Sequence, residues 1–530
     1  MLRKKLFILL LTVLMVAVLA VGCSSGEEIG QNYNGTNNDS SEGETGEEEI
    51  VDIEVWSVNE GFKEIDSGSP LYEFIVDEIG VGVISPYVEW NGGKGYTNQL
   101  NMRIAAGEMP DMFLPYNGIE YDLAKNGAIE DLTDLLPEYA PNLWELIPDE
   151  VWDTVRTNDP TGEGRIYYIP AIRDYGITGG MIRQDWIDKL GLEMPTTQEE
   201  YVDVLRAFKN EDPNGNGMQD EIPTGGRENG RWMDHLFAMY GIAMFEGFPD
   251  WDIYDGELTN SAVTQNMRDA LEFISELYAE GLIDQETFLN DKQAWDGKIN
   301  SGLVGSYFHW TETVYDRLPQ IEAGTGVKAD LPVLPVPKVP GYEGFYSHEP
   351  TLGPQWVVKS GMEEEKLMAT MKFLDNYANQ ENWEDMYYGV EGMHHKIIDG
   401  KRVLLPEDKS TQQVMDVIKA YNHFSLIDFK SNLLMEAVGE EQMEYVEQGI
   451  RNMEENQKYV KVIAGNGMPE SVYNDYPDIR SNMIYQEYAT KIILGEYPIE
   501  KFDEFVDRWY ETGGEEVTQR ARDWYDKLEK

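Results

Sequence analysis

From residue 50 onward the apolar residues fall into short, punctuated runs. Ile50, Val51, Ile53, Val55 and Val58 make a strand-like run over 50–58, ending near Trp56. PLYEFIVDEIGV (70–81) has helical spacing, and VISPYVEW (83–90) reads as a strand. Residues 96–116 read as a helix followed by a short buried strand. This alternation of strand and helix predicts an α/β fold. In residues 196–210, Thr197 and Glu200 have the spacing of a capping box, and Tyr201, Val204, Leu205 and Phe208 repeat on one face. A second helix is predicted over 261–283: Val263, Met267, Leu271, Ile274 and Tyr278 share a face, and Gly281 fits a C-cap. GLVGSYFHW (302–310) reads as a buried strand. LPVLPVPKVPG (331–341) has too many prolines for a central strand and suits an extended connection. Residues 355–360 read as a strand, 363–379 as a helix, and the chain beyond 410 as mainly helical.

Before residue 50 the pattern changes. Residues 24–49 carry almost no apolar side chains and cannot bury enough surface to fold, so 23–49 is expected to be a disordered acidic tether. Leu6 to Ala20 is an unbroken apolar run behind Arg3, Lys4 and Lys5. It is too short to span a membrane comfortably and suits a signal-peptide core. Ala-Val-Gly-Cys at 20–23 resembles the bacterial lipobox. On that reading 1–22 is a lipoprotein signal peptide, Cys23 carries a diacylglycerol, and the chain sits on the extracellular face of the cell membrane. The alternative is an ordinary secretory signal that contains a cysteine. Cys23 is the single cysteine, which excludes an intrachain disulfide and thiolate zinc sites. About 480 residues follow the tether, enough for two large cores.

Charge removes one class of partner. The net charge is −56, or −59 without the three leader cations, and such a surface repels nucleic acid. So many acids also make any pair of carboxylates uninformative. Aromatics are plentiful, with 13 Trp, 31 Tyr and 17 Phe. Flat rings suit the apolar faces of sugars, although core packing accounts for most of them. No GxSxG, HExxH, P-loop or GxGxxG stretch occurs. His394 and His395 are adjacent, and neighbours on a regular element point apart. A secreted glycan-active enzyme is therefore the less favoured reading.

DPNGNGMQDEIP (212–223) begins like a calcium loop, with Asp212, Asn214, Asn216 and Gly217 in the D-x-[DN]-x-[DN]-G pattern. Position twelve, where a glutamate should close the loop, is Pro223. The pattern alone leaves two readings open, a calcium site or a solvated Asn-Gly turn.

GEMPDMFLP (107–115), residues 182–223, GLVGSYFHW and residues 355–379, taken with the lipobox, resemble the extracellular solute-binding lipoproteins of carbohydrate ABC transporters, in particular the large alginate-oligosaccharide-binding members. The resemblance implies a two-lobed periplasmic-binding-protein-like (type II) α/β fold with a hinge, an interlobe cleft and a helix-rich C-terminus. It implies a monomer that is not an enzyme, and that captures an oligosaccharide for the permease subunits of an ABC transporter. A peptide or other small solute is the alternative cargo. It places the lobe crossings near 170–178, 311–330 and 376–390, with 50–172 and 311–378 in one lobe and 173–310 and 379–530 in the other. It also implies one structural Ca²⁺ on Asp212, Asn214, Asn216, the Met218 carbonyl, Asp220 and Glu221, oxygen donors that suit a hard cation. Strand ends and crossing loops line such clefts, so Trp56, Tyr116, Asn117, Arg173, Trp232, Trp310, Glu312, Trp356, Tyr388 and Glu391 are the candidate ligand residues. Arg173 and Arg183 are further candidates for a uronic-acid carboxylate.

Overall fold

The predicted first strand forms as Asp52–Trp56, and Gly82–Ile84 and Met112–Phe113 pair with it in parallel on either side. The computed structural model of the protein describes residues 50–57, 64–89, 94–173, 176–378, 388, 391–392, 395–398, 401–404 and 440–528. The helices Pro70–Ile79 and Lys94–Ala106 make the two connections between these strands. Ser69 caps the first helix by accepting the Tyr72 N–H (3.1 Å), and Gly80 ends it in the left-handed region. The strand expected over 83–90 stops at Ile84, close to Pro86, which has no N–H to give a ladder.

The sheet is completed from far along the chain. Thr351–Val358 runs antiparallel between Met112–Phe113 and Ile169–Ile172, giving a five-stranded sheet. The first core forms around it: Ile53, Val55, Phe113, Trp152, Trp356 and Phe373 are all buried.

A second lobe has its own sheet. Thr178–Ile182 and Ile222–Thr224 flank Val304–Trp310, the former antiparallel and the latter parallel. The helix Gln198–Asn210 opens with the predicted capping box: Thr197 Oγ1 accepts the Glu200 N–H (3.3 Å) and Glu200 returns the bond to the Thr197 N–H (3.1 Å). Its buried face is Tyr201, Val204, Leu205 and Phe208. The helix expected from 261 starts at Gln265, because Asn260 caps a single 3₁₀ turn over Ser261–Val263 and Thr264 caps the helix itself. It ends at Glu280, with Gly281 at φ 71°. Met483–Ile493, Lys501–Trp509 and Glu515–Leu528 cover this second core, which contains Ile492, Phe505 and Val517.

One expected boundary is corrected. The stretch 311–378 is expected wholly in the first lobe, yet Val314, Leu318, Ile321, Leu331 and Val333 pack with Met181, Tyr307 and Phe308 in the second. The helix Val314–Thr325 follows Val304–Trp310 after one 3₁₀ turn. Arg317 ties it down through Asp296 (2.5 Å) and Asn300 (3.0 Å), and the Leu334 N–H donates to Gly180 (2.8 Å). The return crossing therefore lies at 349–350. The outward crossing lies between Ile172 and Thr178. Tyr388 still packs on the first core, and the crossing expected at 376–390 falls mostly outside the described residues.

Trp356, a sequence candidate for ligand contact, is 1 % exposed in a strand paired on both sides. Trp356→Ala should lower unfolding free energy by about 3–5 kcal/mol in urea denaturation, as large-to-small core changes do. A loss of ligand affinity with an unchanged denaturation midpoint would instead return Trp356 to the binding surface.

Candidate functional site

A cavity of ≈ 1030 Å³ opens between the two cores. The first lobe contributes the loop after Met112–Phe113, the 158–168 segment and the start of Thr351–Val358. The second contributes 245–250 and 465–482. The lobes touch beside it: Asn158 Nδ2 donates to Gly467 O (2.9 Å), Trp524 Nε1 donates to Asn158 Oδ1 (2.9 Å), and the Thr351 N–H donates to Asn466 Oδ1 (3.0 Å).

Three sequence candidates line this cavity: Tyr116, Asn117 and Arg173. Asn117 holds φ 61° and turns the chain into the helix Ile119–Lys125. Arg173 is fixed through its backbone, whose N–H donates to Pro350 (2.8 Å).

The other candidates lie elsewhere. Trp56 is buried in the first core, with its Nε1 on Glu54 (2.9 Å) and the Arg103 guanidinium 5.2 Å above its ring. Trp232 is also buried. It takes φ 62°, a conformation bulky residues avoid, and is held there by Trp295, Phe308, His309 and Trp310. Trp310 belongs to that aromatic stack, and Glu312 follows it in a 3₁₀ turn. Tyr388 packs edge-on against His395, and Glu391 is exposed. Arg183 is corrected as well. It is 2 % exposed and grips Asp185 through both nitrogens (2.7 and 2.6 Å), so no uronate reaches it. Cys23, His394 and the tether lie outside the described residues.

The sequence reading missed the acidic centre of the cavity. Asp250 and Glu349 face each other there and are hydrogen-bonded through their carboxyls. Burial pushes Glu349 well above the usual carboxylate range. Repulsion from Asp250 and the bond to it raise it further, and only the charge of Arg173 opposes. Burial raises Asp250 too, against the Trp251 N–H (2.7 Å) and the bond from Glu349. Both carboxyls are thus pushed toward the protonated form, Glu349 the further of the two. Glu120, from the opposite lobe, is raised by burial and by Glu470, with Arg480 opposing. Tyr168, Tyr473, Phe245 and Phe248 add rings. None of the lining residues is Trp. The one local signal was the stretch FEGFPDW (245–251), where rings and an acid adjoin.

The 212–221 loop is a separate site. It joins the helix Gln198–Asn210 to the strand Ile222–Thr224. Asp212 takes φ 48° and its carboxylate accepts the N–H groups of Gly215 (2.8 Å), Asn216 (3.1 Å) and Gly217 (3.0 Å). The side-chain amides of Asn214 and Asn216 both reach Asp220 Oδ1 (3.0 Å each). Met218 is exposed at its side chain. Both oxygens of Glu221 are buried and complete no hydrogen bond. Burial raises this carboxyl, and Asp212 and Asp220 repel it. The Glu221 backbone and the Asn214 N–H oppose that rise, and the one cation beside the loop, Lys189, donates to the Pro213 carbonyl (2.8 Å) rather than to a carboxylate, so the oxygen-rich donor set still suits a hard cation. Among the described residues no compact group of three or more His, Cys, Asp or Glu side chains would hold a metal on ionisable ligands alone. The loop would need its amide and carbonyl oxygens too.

Comparison with known proteins places this geometry. A family model for bacterial extracellular solute-binding proteins matches residues 86–392. The fructooligosaccharide ABC transporter substrate-binding protein FusA of Streptococcus pneumoniae is 32% identical over 270 residues, 46% of this chain and 48% of FusA. This chain thus spans about half the length of that relative. Lipoprotein LipO of Bacillus subtilis is 26% identical over 83% of this chain and 86% of its own. The polygalacturonan/rhamnogalacturonan-binding protein YtcQ of Bacillus subtilis is 23% identical over 82% and 84%. Two crystal structures share the fold. One is an extracellular solute-binding protein from Bifidobacterium longum subsp. infantis, with a TM-score of 0.70, 20% identity and coverage of 91% and 99%. The other is the alginate-binding protein AlgQ2 without calcium ion, with 0.65, 21%, 90% and 98%.

The Asp250–Glu349 pair makes a pH prediction. The folded protein keeps a proton that the unfolded chain releases above the ordinary carboxylate range. The stability this contributes is complete below that range and is lost as pH rises through the raised folded value. Thermal melts should therefore show the wild-type midpoint falling as pH rises above about 5. Glu349→Gln keeps a donor for Asp250 and cannot titrate, so its midpoint should fall less. Parallel curves for the two proteins would mean the pair carries no shared proton.

Proposed function

The chain belongs to the bacterial extracellular solute-binding proteins, a family of binding proteins rather than enzymes, and on that premise we propose that it is a lipid-anchored receptor for an oligosaccharide. It captures the glycan between its lobes and delivers it to the permease subunits of an ABC transporter. The observation that carries the reading is the cavity. Its ≈ 1030 Å³ combine Tyr and Phe rings with carboxyls and amides contributed by both lobes. Rings pack on the apolar faces of a sugar while carboxyls and amides bind its hydroxyls. FusA, whose name gives a fructooligosaccharide, and YtcQ, whose name gives a polygalacturonan, support a glycan and differ in its charge. Closure of the lobes by hinge motion accompanies capture. The anchor is the lipid on Cys23, in keeping with the lipoprotein LipO. Among the described residues no helix is long and apolar enough to cross a membrane.

The 212–221 loop holds one structural Ca²⁺ in this proposal, on Asp212, Asn214, Asn216, the Met218 carbonyl, Asp220 and Glu221. The unpaired Glu221 oxygens support it. The ion would pin the helix Gln198–Asn210 to the second sheet in a protein that has no disulfide. It would not touch the glycan.

Differential scanning of the purified protein with neutral and acidic oligosaccharides, amino acids and short peptides tests the receptor. A rise in melting temperature with a glycan class is expected, and a response to peptides alone would overturn the sugar reading. Tyr116→Ala should weaken glycan binding about 10-fold or more, on the order of 1.4 kcal/mol. Chelation should lower wild-type stability by roughly 0.5–2 kcal/mol at millimolar calcium. Glu221→Gln should remove most of that calcium dependence, and an undiminished response in the variant would exclude Glu221 as a ligand.

A further inference from the structure

The cations of the cleft wall decide what charge the cargo can carry. Among the described residues three side chains lining the cavity are cationic: Arg165, Arg173 and Arg480. Arg165 is bound to Asp131 (2.6 Å) and lies 3.4 Å from Glu163. Arg480 holds Glu470 (2.6 Å) across one edge of the wall. Arg173 lies within the field of Glu349 and has an interaction of its own. Against these three stand six lining carboxyls: Glu120, Asp122, Asp159, Asp250, Glu349 and Glu470. Counting the hydrogen-bonded Asp250–Glu349 pair as one charge still leaves the carboxylates in excess. Asp159 is turned inward to the N–H groups of Thr161 (2.8 Å), Glu163 (2.9 Å) and Arg165 (2.9 Å), so it builds the wall rather than reaching the cargo.

A carboxylate moved from water into such a cleft loses hydration. It recovers that cost only through a paired cation, best a guanidinium with both N–H forks open. Arg165 and Arg480 already spend part of their guanidinium groups on carboxylates, and the surrounding acids add repulsion. A sugar hydroxyl meets no such barrier. It donates to Asp250, Glu120 or Glu470 without bringing a charge into the cleft.

Resting on the glycan reading above, we propose that this cleft selects uncharged oligosaccharides and excludes polyuronates. The exclusion is built from the protein's own acids. Glu470 holds Arg480, and the carboxyls around the wall oppose a further anion.

Isothermal titration of the purified protein with a matched pair tests this. The pair is α-1,4-linked tetragalacturonate and the neutral galactose tetramer made from it by carboxyl reduction, run beside a fructooligosaccharide, mannotetraose and a neutral tripeptide. The tightest neutral oligosaccharide is expected to bind roughly 100-fold more tightly than tetragalacturonate. Its affinity should change less than about 2-fold between low and high salt, since a neutral ligand has no charge to screen. Tetragalacturonate binding as tightly as the best neutral glycan would overturn charge selection and leave the glycan receptor standing. Binding of the tripeptide alone would overturn the receptor reading itself. Glu470→Gln, which releases Arg480, should raise the ratio of tetragalacturonate to neutral affinity about 10-fold. An unchanged ratio in the folded variant would overturn the role of the engaged arginines.

Discussion

The structure depends on one strand. Thr351–Val358 fills the gap between Met112–Phe113 and Ile169–Ile172, and the first sheet is incomplete without it. Because it arrives from the second lobe, its two-sided antiparallel pairing forces the chain to cross beside the same point where it first left, at 173–177. The two crossings lie side by side, joined by the bond from the Arg173 N–H to the Pro350 carbonyl (2.8 Å). The same strand brings Glu349 and Thr351 to the cavity, so the constraint that joins the lobes also positions the acids between them.

Local signals were legible in the sequence and long-range ones were not. The capping box at Thr197 and Glu200 and the αL stop at Gly281 depend on residues within one turn of each other, and both formed as the pattern predicts. The metal-like loop was legible for the same reason, although the unpaired state of Glu221 required its burial to be seen. The lobe boundary was missed because the 314–325 helix is positioned by Arg317 on Asp296 and by the Leu334–Gly180 bond, which join segments distant in the chain. Asp250 and Glu349 were missed in the same way. In a chain with 98 acidic residues, nothing local marks the two that meet.

The ligand candidates show a different limit. Tryptophan suits both a sugar face and a protein core, and composition cannot separate the two uses. Here Trp56, Trp232 and Trp356 went to cores, where a large ring excludes the most water. Tyr116, Asn117 and Arg173 stand just past strands and line the cavity.

That division of the aromatics has a consequence for how the protein can change over generations. The tryptophans that hold the cores belong to strands, helices and a packed stack, whereas many of the rings at the cleft, such as Tyr116, Phe245 and Tyr473, ride on connecting segments and short edges. The two sets still touch: Tyr473 Oη accepts the Trp251 Nε1–H (2.7 Å), and Phe245 meets the Trp232 ring edge-on. A lineage that exchanges one cargo for another through these loops must therefore refit the rings behind them, so the scaffold filters which cargoes are within reach.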